Sequence, residues 1–131
     1  MKYYCMNAMQ TASYFTSRLG FDYLAFSGLE TGSKDTTTHV VKKGECIISF
    51  ESENKPGTNS DIYSFLMKHG DTIKDIAFEV EDCALIYNNA IKRGAISVSP
   101  PQRIEDENGY IIKATIIGFD DVVHTLIERV R

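Results

Sequence analysis

An internal repeat constrains this chain more than any other feature of its sequence. Asn7 is placed to cap a helix that runs to Leu19, with Met9, Ala12, Phe15, Thr16 and Leu19 on one face and Gly20 as its stop. Asp82 is placed in the same way ahead of a helix to Arg93, on which Leu85, Ile86, Asn89 and Ala90 cluster and Gly94 is the stop. Each helix hands over at once to a strand, over 21–27 in the first case and 95–99 in the second. Two more strands follow each time. In the first half they span 36–42 and 45–51, joined by a Lys43-Gly44 turn; in the second they span 110–118 and 122–130, joined at Asp120-Asp121. With opening strands at Lys2 to Met6 and over 72–80, the unit is β-α-β-β-β, used twice.

The fold class that follows is α+β, with paired β-α-β-β-β modules forming a curved mixed sheet. A lone module leaves a sheet edge open and one face uncovered, so two modules side by side favour one composite domain over 1–131. Module one covers 1–51, a loop and connecting helix cover 52–71, and module two covers 72–131. Residues 52–60 contain Pro56, Gly57 and Asn59 and read as a surface loop, while 61–69 read as a helix with Ile62, Phe65 and Leu66 inward. Pro100-Pro101 is expected to break the strand before it, and Asn108-Gly109 to turn residues 103–107 back onto the following strand.

Composition excludes several classes of function. A net charge of -4 with acids and bases interleaved gives no basic stripe for a phosphate backbone, so no nucleic-acid partner is expected. No apolar run approaches the roughly 20 residues of a spanning helix, so no membrane partner is expected either. The start, Met-Lys-Tyr-Tyr-Cys-Met-Asn, has no long apolar region or cleavage site, and the chain reads as cytoplasmic. Cys5, Cys46 and Cys83 are odd in number and lack ligand spacing, which points to free thiols rather than disulfides or zinc.

Residues 68–83 read Lys-His-Gly-Asp-Thr-Ile-Lys-Asp-Ile-Ala-Phe-Glu-Val-Glu-Asp-Cys. This wording closely resembles the amino-terminal, non-iron domain of the 4-hydroxyphenylpyruvate dioxygenases. The stretches Gly28-Leu29-Glu30-Thr31-Gly32-Ser33, Thr38-His39-Val40-Val41-Lys42 and His124-Thr125-Leu126 resemble the same family at matching places. Paired β-α-β-β-β modules are also the architecture of the vicinal oxygen chelate superfamily, which includes glyoxalase I and the extradiol dioxygenases. The resemblance implies a full enzyme that uses Fe(II) and oxygen to convert 4-hydroxyphenylpyruvate to homogentisate and carbon dioxide in tyrosine breakdown. Its own substrate, an aromatic α-keto acid, chelates the iron. The family's lead-in before the first helix is longer than the one here, from which a weakened first module, or association through the exposed edge beside it, is expected.

In that family the iron is held by two His and one Glu, all in the carboxy-terminal half, and this chain resembles the other half. Seven residues before the cap Asp82, where the catalytic half carries His, this sequence has Asp75. The closing-strand position falls near Leu126, which cannot coordinate a metal. The count from Asn7 lands before Met1. Three histidines remain. His39 reads as a structural or surface residue within a strand, His69 as a helix-end residue, and His124 as a neighbour of the ligand-like position on the same side of its strand. Glu79 and Glu81 are expected at a solvent-facing strand end, Asp82 serves as cap, and Glu105, Asp106 and Glu107 form a solvated run before a turn. Gly28 and Gly32 lack the Lys-Ser/Thr ending of a phosphate loop. No catalytic, cofactor or metal residue is therefore assigned to this chain, and Fe(II) belongs to the full enzyme.

Three functions compete. The first is a structural amino-terminal domain of a 4-hydroxyphenylpyruvate dioxygenase, partnered by a catalytic carboxy-terminal domain and by further copies of itself. The second is a silent module that holds a small molecule or acts as a scaffold. The third is a glyoxalase-like metal-dependent isomerase or lyase completed across subunits, which Asp75 and Leu126 disfavour.

Overall fold

The computed structural model describes residues 1–28, 36–54 and 60–130. The resemblance at Gly28 to Ser33 lies beyond Gly28 outside them, as does most of the expected 52–60 loop. The chain divides into two compact units, Met1–Lys74 and Asp75–Arg131, with the division falling inside one strand.

Unit one carries β1 (Lys2–Tyr4), α1 (Ala8–Arg18), β2 (Asp22–Ser27), β3 (Thr36–Lys43), β4 (Cys46–Glu53) and α2 (Ser60–His69). Its strands lie in the order β2-β3-β4-β1, with β1 parallel to β4 and the other pairs antiparallel. Unit two repeats the plan with β5 (Thr72–Glu79), α3 (Cys83–Lys92), β6 (Ser97–Asp106), β7 (Gly109–Phe119) and β8 (Val122–Val130) in the order β5-β8-β7-β6. β5 and β8 are the parallel pair. The repeat extends to single hydrogen bonds. Cys5 N–H donates to Glu51 O at 3.0 Å as β1 ends, and Val80 N–H donates to Ile127 O at 2.8 Å as β5 ends.

Both expected caps form. The Asn7 and Asp82 side chains each accept the backbone N–H three residues on, at 3.0 Å, and so satisfy an otherwise orphaned donor at each helix start. Gly20 closes α1 with φ +75°, a left-handed conformation that costs glycine nothing.

The expected face of α1 holds at Ala12 and Phe15 but not at its outer members, and the buried face of α3 differs from the expected one. Ala8 and Ala12 are the buried residues of α1, with Phe15 packed beside them, while Met9 is 65% exposed and Leu19 lies outside the core. On α3 it is Cys83 that is buried and Tyr87 that packs next to it, whereas Leu85 is 55% exposed. Small residues at the cap end let each helix lie close over its sheet, and that fixes which face turns inward. Unit one's core joins Cys5, Ala8, Ala12, Val41, Ile48 and Phe50, and Phe50 is ringed by Tyr3 at 5.5 Å and Phe15 at 4.9 Å. Unit two's smaller core joins Cys83, Ala114 and Leu126.

Two strand expectations are corrected. Pro100-Pro101 does not end a strand: β6 runs from Ser97 to Asp106 through both prolines, and the ladder to β7 shifts register between Ser99 and Gln102. A bulged ladder tolerates the missing proline N–H groups on a strand paired along one side. β4 continues through Ser52 and Glu53, residues expected in the loop, because the buried Ser52 hydroxyl accepts the Ala8 N–H at 3.1 Å and ties strand end to helix start.

Candidate functional site

Strand alternation gives unit two a face packed on α3 and an opposite face, open only in the sense that α3 does not cover it. Leu126 marks the first: it is 5% exposed, sits with Cys83 and Ala114, and its carbonyl accepts the Cys83 thiol at 3.5 Å. Leu126, near which the closing-strand position was expected, thus faces α3. Side chains two apart on a strand share a side, so Val123, Thr125, Ile127 and Arg129 form the open face of β8. On β5 the register pairs Asp75 with Val123 and Ala77 with Thr125, which puts Asp75 on the open face as well.

There Asp75 meets Thr125, whose hydroxyl donates to Asp75 Oδ2 at 2.5 Å. Thr125 is buried, and the other carboxylate oxygen, Oδ1, is buried without a hydrogen-bond partner among the described residues. Further along the same face Arg129 Nε lies 3.4 Å from a Glu79 carboxylate oxygen, both side chains largely exposed. Thr125 was not singled out in the sequence, although its signal was there: the core residue Leu126 fixes the phase of β8, and its neighbours must then face the other way.

The histidines do not join this group. Ile76 pairs with His124, so His124 projects from the α3 side, opposite to Asp75. Its Nδ1 lies 3.3 Å from Ile76 O, its ring is tilted on Phe78 at 5.5 Å, and it leaves no room for a side chain at Gly118, where an added Cβ would stand 2.6 Å from Nε2. His39 is 6% exposed within unit one, hydrogen-bonded through Nδ1 to the Tyr23 hydroxyl and packed on Phe26; burial lowers its pKa. It is a hydrogen-bonded structural histidine. His69 ends α2 with its ring on Phe65 at 4.9 Å.

The carboxylates occupy the expected settings. Glu105 pairs with Arg103 at 3.4 Å on an exposed strand, and Asp106 accepts the Asn108 N–H at 2.8 Å to close the turn. Burial pushes the Cys5 thiol up to about 11 and raises that of Cys83, so neither is poised as a thiolate.

No protein-family model matches the chain. Among curated relatives, a 4-hydroxyphenylpyruvate dioxygenase of Yarrowia lipolytica is 42% identical over 129 residues, covering 97% of this chain and 33% of that protein. One from Dictyostelium discoideum is 44% identical over 124 residues, covering 94% and 34%, and one from Sus scrofa is 51% identical over 92 residues, covering 70% and 23%. The chain thus spans about a third of the length of the first two. Among solved structures, a mutant of 4-hydroxymandelate synthase from Streptomyces coelicolor superposes with a TM-score of 0.85 at 27% identity, over 99% of this chain and 37% of that one. A methylmalonyl-CoA epimerase from Mycobacterium tuberculosis matches in fold alone, with a TM-score of 0.66 at 15% identity. No helix among the described residues is long and apolar enough to cross a membrane. The chain has the vicinal oxygen chelate fold and is related, over nearly its whole length, to the amino-terminal domain of the 4-hydroxyphenylpyruvate dioxygenases.

Proposed function

We propose that this chain is the non-iron, amino-terminal domain of a cytoplasmic 4-hydroxyphenylpyruvate dioxygenase, with its two units working as one composite domain. Conversion of 4-hydroxyphenylpyruvate and oxygen to homogentisate and carbon dioxide then belongs to a carboxy-terminal partner domain that holds Fe(II). This domain contributes packing surface and contacts between subunits.

The observation that carries the reading is the content of the open face of unit two. An iron of this chemistry takes two imidazoles and a carboxylate on one side, with open positions opposite them. Asp75 offers one carboxylate, already hydrogen-bonded to Thr125, while His124 projects from the opposite face and the residue beside Thr125 is the core leucine Leu126. These residues do not fit the iron, and no chemical step is assigned to them.

The test is oxygen uptake. The purified chain, supplied anaerobically with Fe(II) and then with 4-hydroxyphenylpyruvate and oxygen, is expected to consume none above an iron-only control. Joined to the carboxy-terminal remainder of a matched dioxygenase, it is expected to support substrate-dependent uptake. Uptake by the chain alone overturns the proposal.

A further inference from the structure

Six asparagines are present, and five of them lie among the described residues. Four of the five are held in place. Asn7 accepts the Gln10 N–H through its side chain, and the peptide nitrogen after it, that of Ala8, donates to the buried Ser52 hydroxyl at 3.1 Å. Asn54 accepts the Thr37 hydroxyl and donates to Thr36 O at 3.4 Å. Asn88 and Asn89 lie inside α3, where the peptide N–H groups that follow them serve the helix. Asn108 is different. It is exposed at the turn between β6 and β7, and its side-chain amide makes no hydrogen bond among the described residues.

Gly109 follows it with φ +142°, a conformation that L side chains rarely adopt, so the turn itself asks for glycine here. That glycine leaves the peptide nitrogen after Asn108 unshielded by any Cβ, and a side-chain amide one residue earlier can close a five-membered ring on it. Two features slow this in the folded chain. Gly109 pairs with Asp106 as the last rung of the β6–β7 ladder, and the Asp106 carboxylate, which accepts the Asn108 N–H at 2.8 Å, opposes negative charge on the attacking nitrogen. The rung decides the rate, because the end of a ladder opens at little free-energy cost while its middle does not.

We propose that Asn108 is a site of spontaneous covalent modification, at which the side-chain amide is lost to the peptide nitrogen of Gly109 when the hairpin end opens. That nitrogen gives up its proton and bonds to Asn108 Cγ, and the side-chain nitrogen leaves as ammonia, closing a succinimide. Water then adds to either ring carbonyl and cleaves its bond to the ring nitrogen, giving aspartate or isoaspartate. Both products add a carboxylate to the run Glu105-Asp106-Glu107. Isoaspartate also carries the backbone through Cβ, which lengthens the connection between β6 and β7 by one carbon and loosens the rungs beside it. The site is independent of where the dioxygenase chemistry resides.

Incubation of the native chain at mildly alkaline pH, beside a synthetic peptide of residues 103–113, tests it. Peptide mapping by mass spectrometry locates the exchange of amide for carboxylate, and a protein isoaspartate methyltransferase with labelled S-adenosylmethionine marks the isoaspartate. Among the described asparagines, conversion is expected at Asn108 alone in the native chain. Its rate is expected to be no more than about tenfold below that of the peptide, which corresponds to an opening cost of about 1.4 kcal/mol. Asn108→Gln, whose longer side chain must close a six-membered ring, is expected to gain no mark at that position, with circular dichroism to confirm that the variant is folded. A native rate more than about tenfold below the peptide's, earlier conversion at Asn7, Asn54, Asn88 or Asn89, or methylation of Asn108→Gln equal to that of the wild type would each overturn the proposal.

Discussion

His39 shows how burial turns a residue's chemistry into a stability term. In an unfolded chain its imidazole titrates near 6.5, and burial lowers that value in the folded state. Between the two values the unfolded chain binds a proton that the native chain does not, so stability falls as the pH drops through about 6.5 and levels off below the folded-state value. Urea midpoints measured from about pH 7.5 down to 5.5 are expected to decline for the wild type. His39→Gln, which keeps an acceptor for the Tyr23 hydroxyl, is expected to decline less; equal slopes would remove His39 as the cause. The cysteines give a second prediction at this scale. Cys46 is exposed, whereas Cys5 and Cys83 are buried with raised thiol pKa values. Alkylation at about pH 8 followed by mass spectrometry is expected to mark Cys46 alone in the native protein and all three cysteines in denaturant. Rapid native labelling of Cys5 would contradict the core placed around it.

At the scale of elements, α1 rests on a small footprint. Phe50→Ala removes a fully buried ring that contacts Phe15 and Tyr3, and is expected to cost about 3–5 kcal/mol of stability. Met9→Gln, on the exposed side of the same helix, is expected to stay within about 0.5 kcal/mol. Chemical denaturation of the two variants checks both values, and a large loss from Met9→Gln would mean that the helix presents its other face. Element order, caps and stops were legible in the sequence because Asn7, Asp82, Gly20 and Gly94 act through local hydrogen bonds and dihedral preferences. On the inward face of α1 Ala12 and Phe15 were legible but Ala8 was not, nor was the inward face of α3. Hydrophobicity favoured Met9, Leu19, Leu85 and Ile86, but how closely a helix approaches its sheet depends on small residues such as Ala8 and Cys83, whose worth exists only once the partner strands are in place. The run of β6 through Pro100-Pro101 was hidden for a related reason, since whether a missing N–H matters depends on which strand edge it would have faced. Thr125 was missed because counting along β8 cannot set its phase without knowing that Leu126 faces α3.

For the whole molecule, the repeat supplies the same scaffold twice, down to the matching strand-end bonds of Cys5 and Val80. On the proposed function, a handful of side chains on the open face separates this unit from a metal-binding one. In unit two those positions hold an aspartate bonded to a threonine, and an exposed Glu79–Arg129 pair. The most direct test of this account is iron retention. The chain is equilibrated anaerobically with excess Fe(II), desalted, and its iron measured per chain alongside Asp75→Ala and His124→Ala variants. The account predicts only trace iron, equal in all three proteins. Stoichiometric iron in the wild-type chain that disappears in either variant would contradict it.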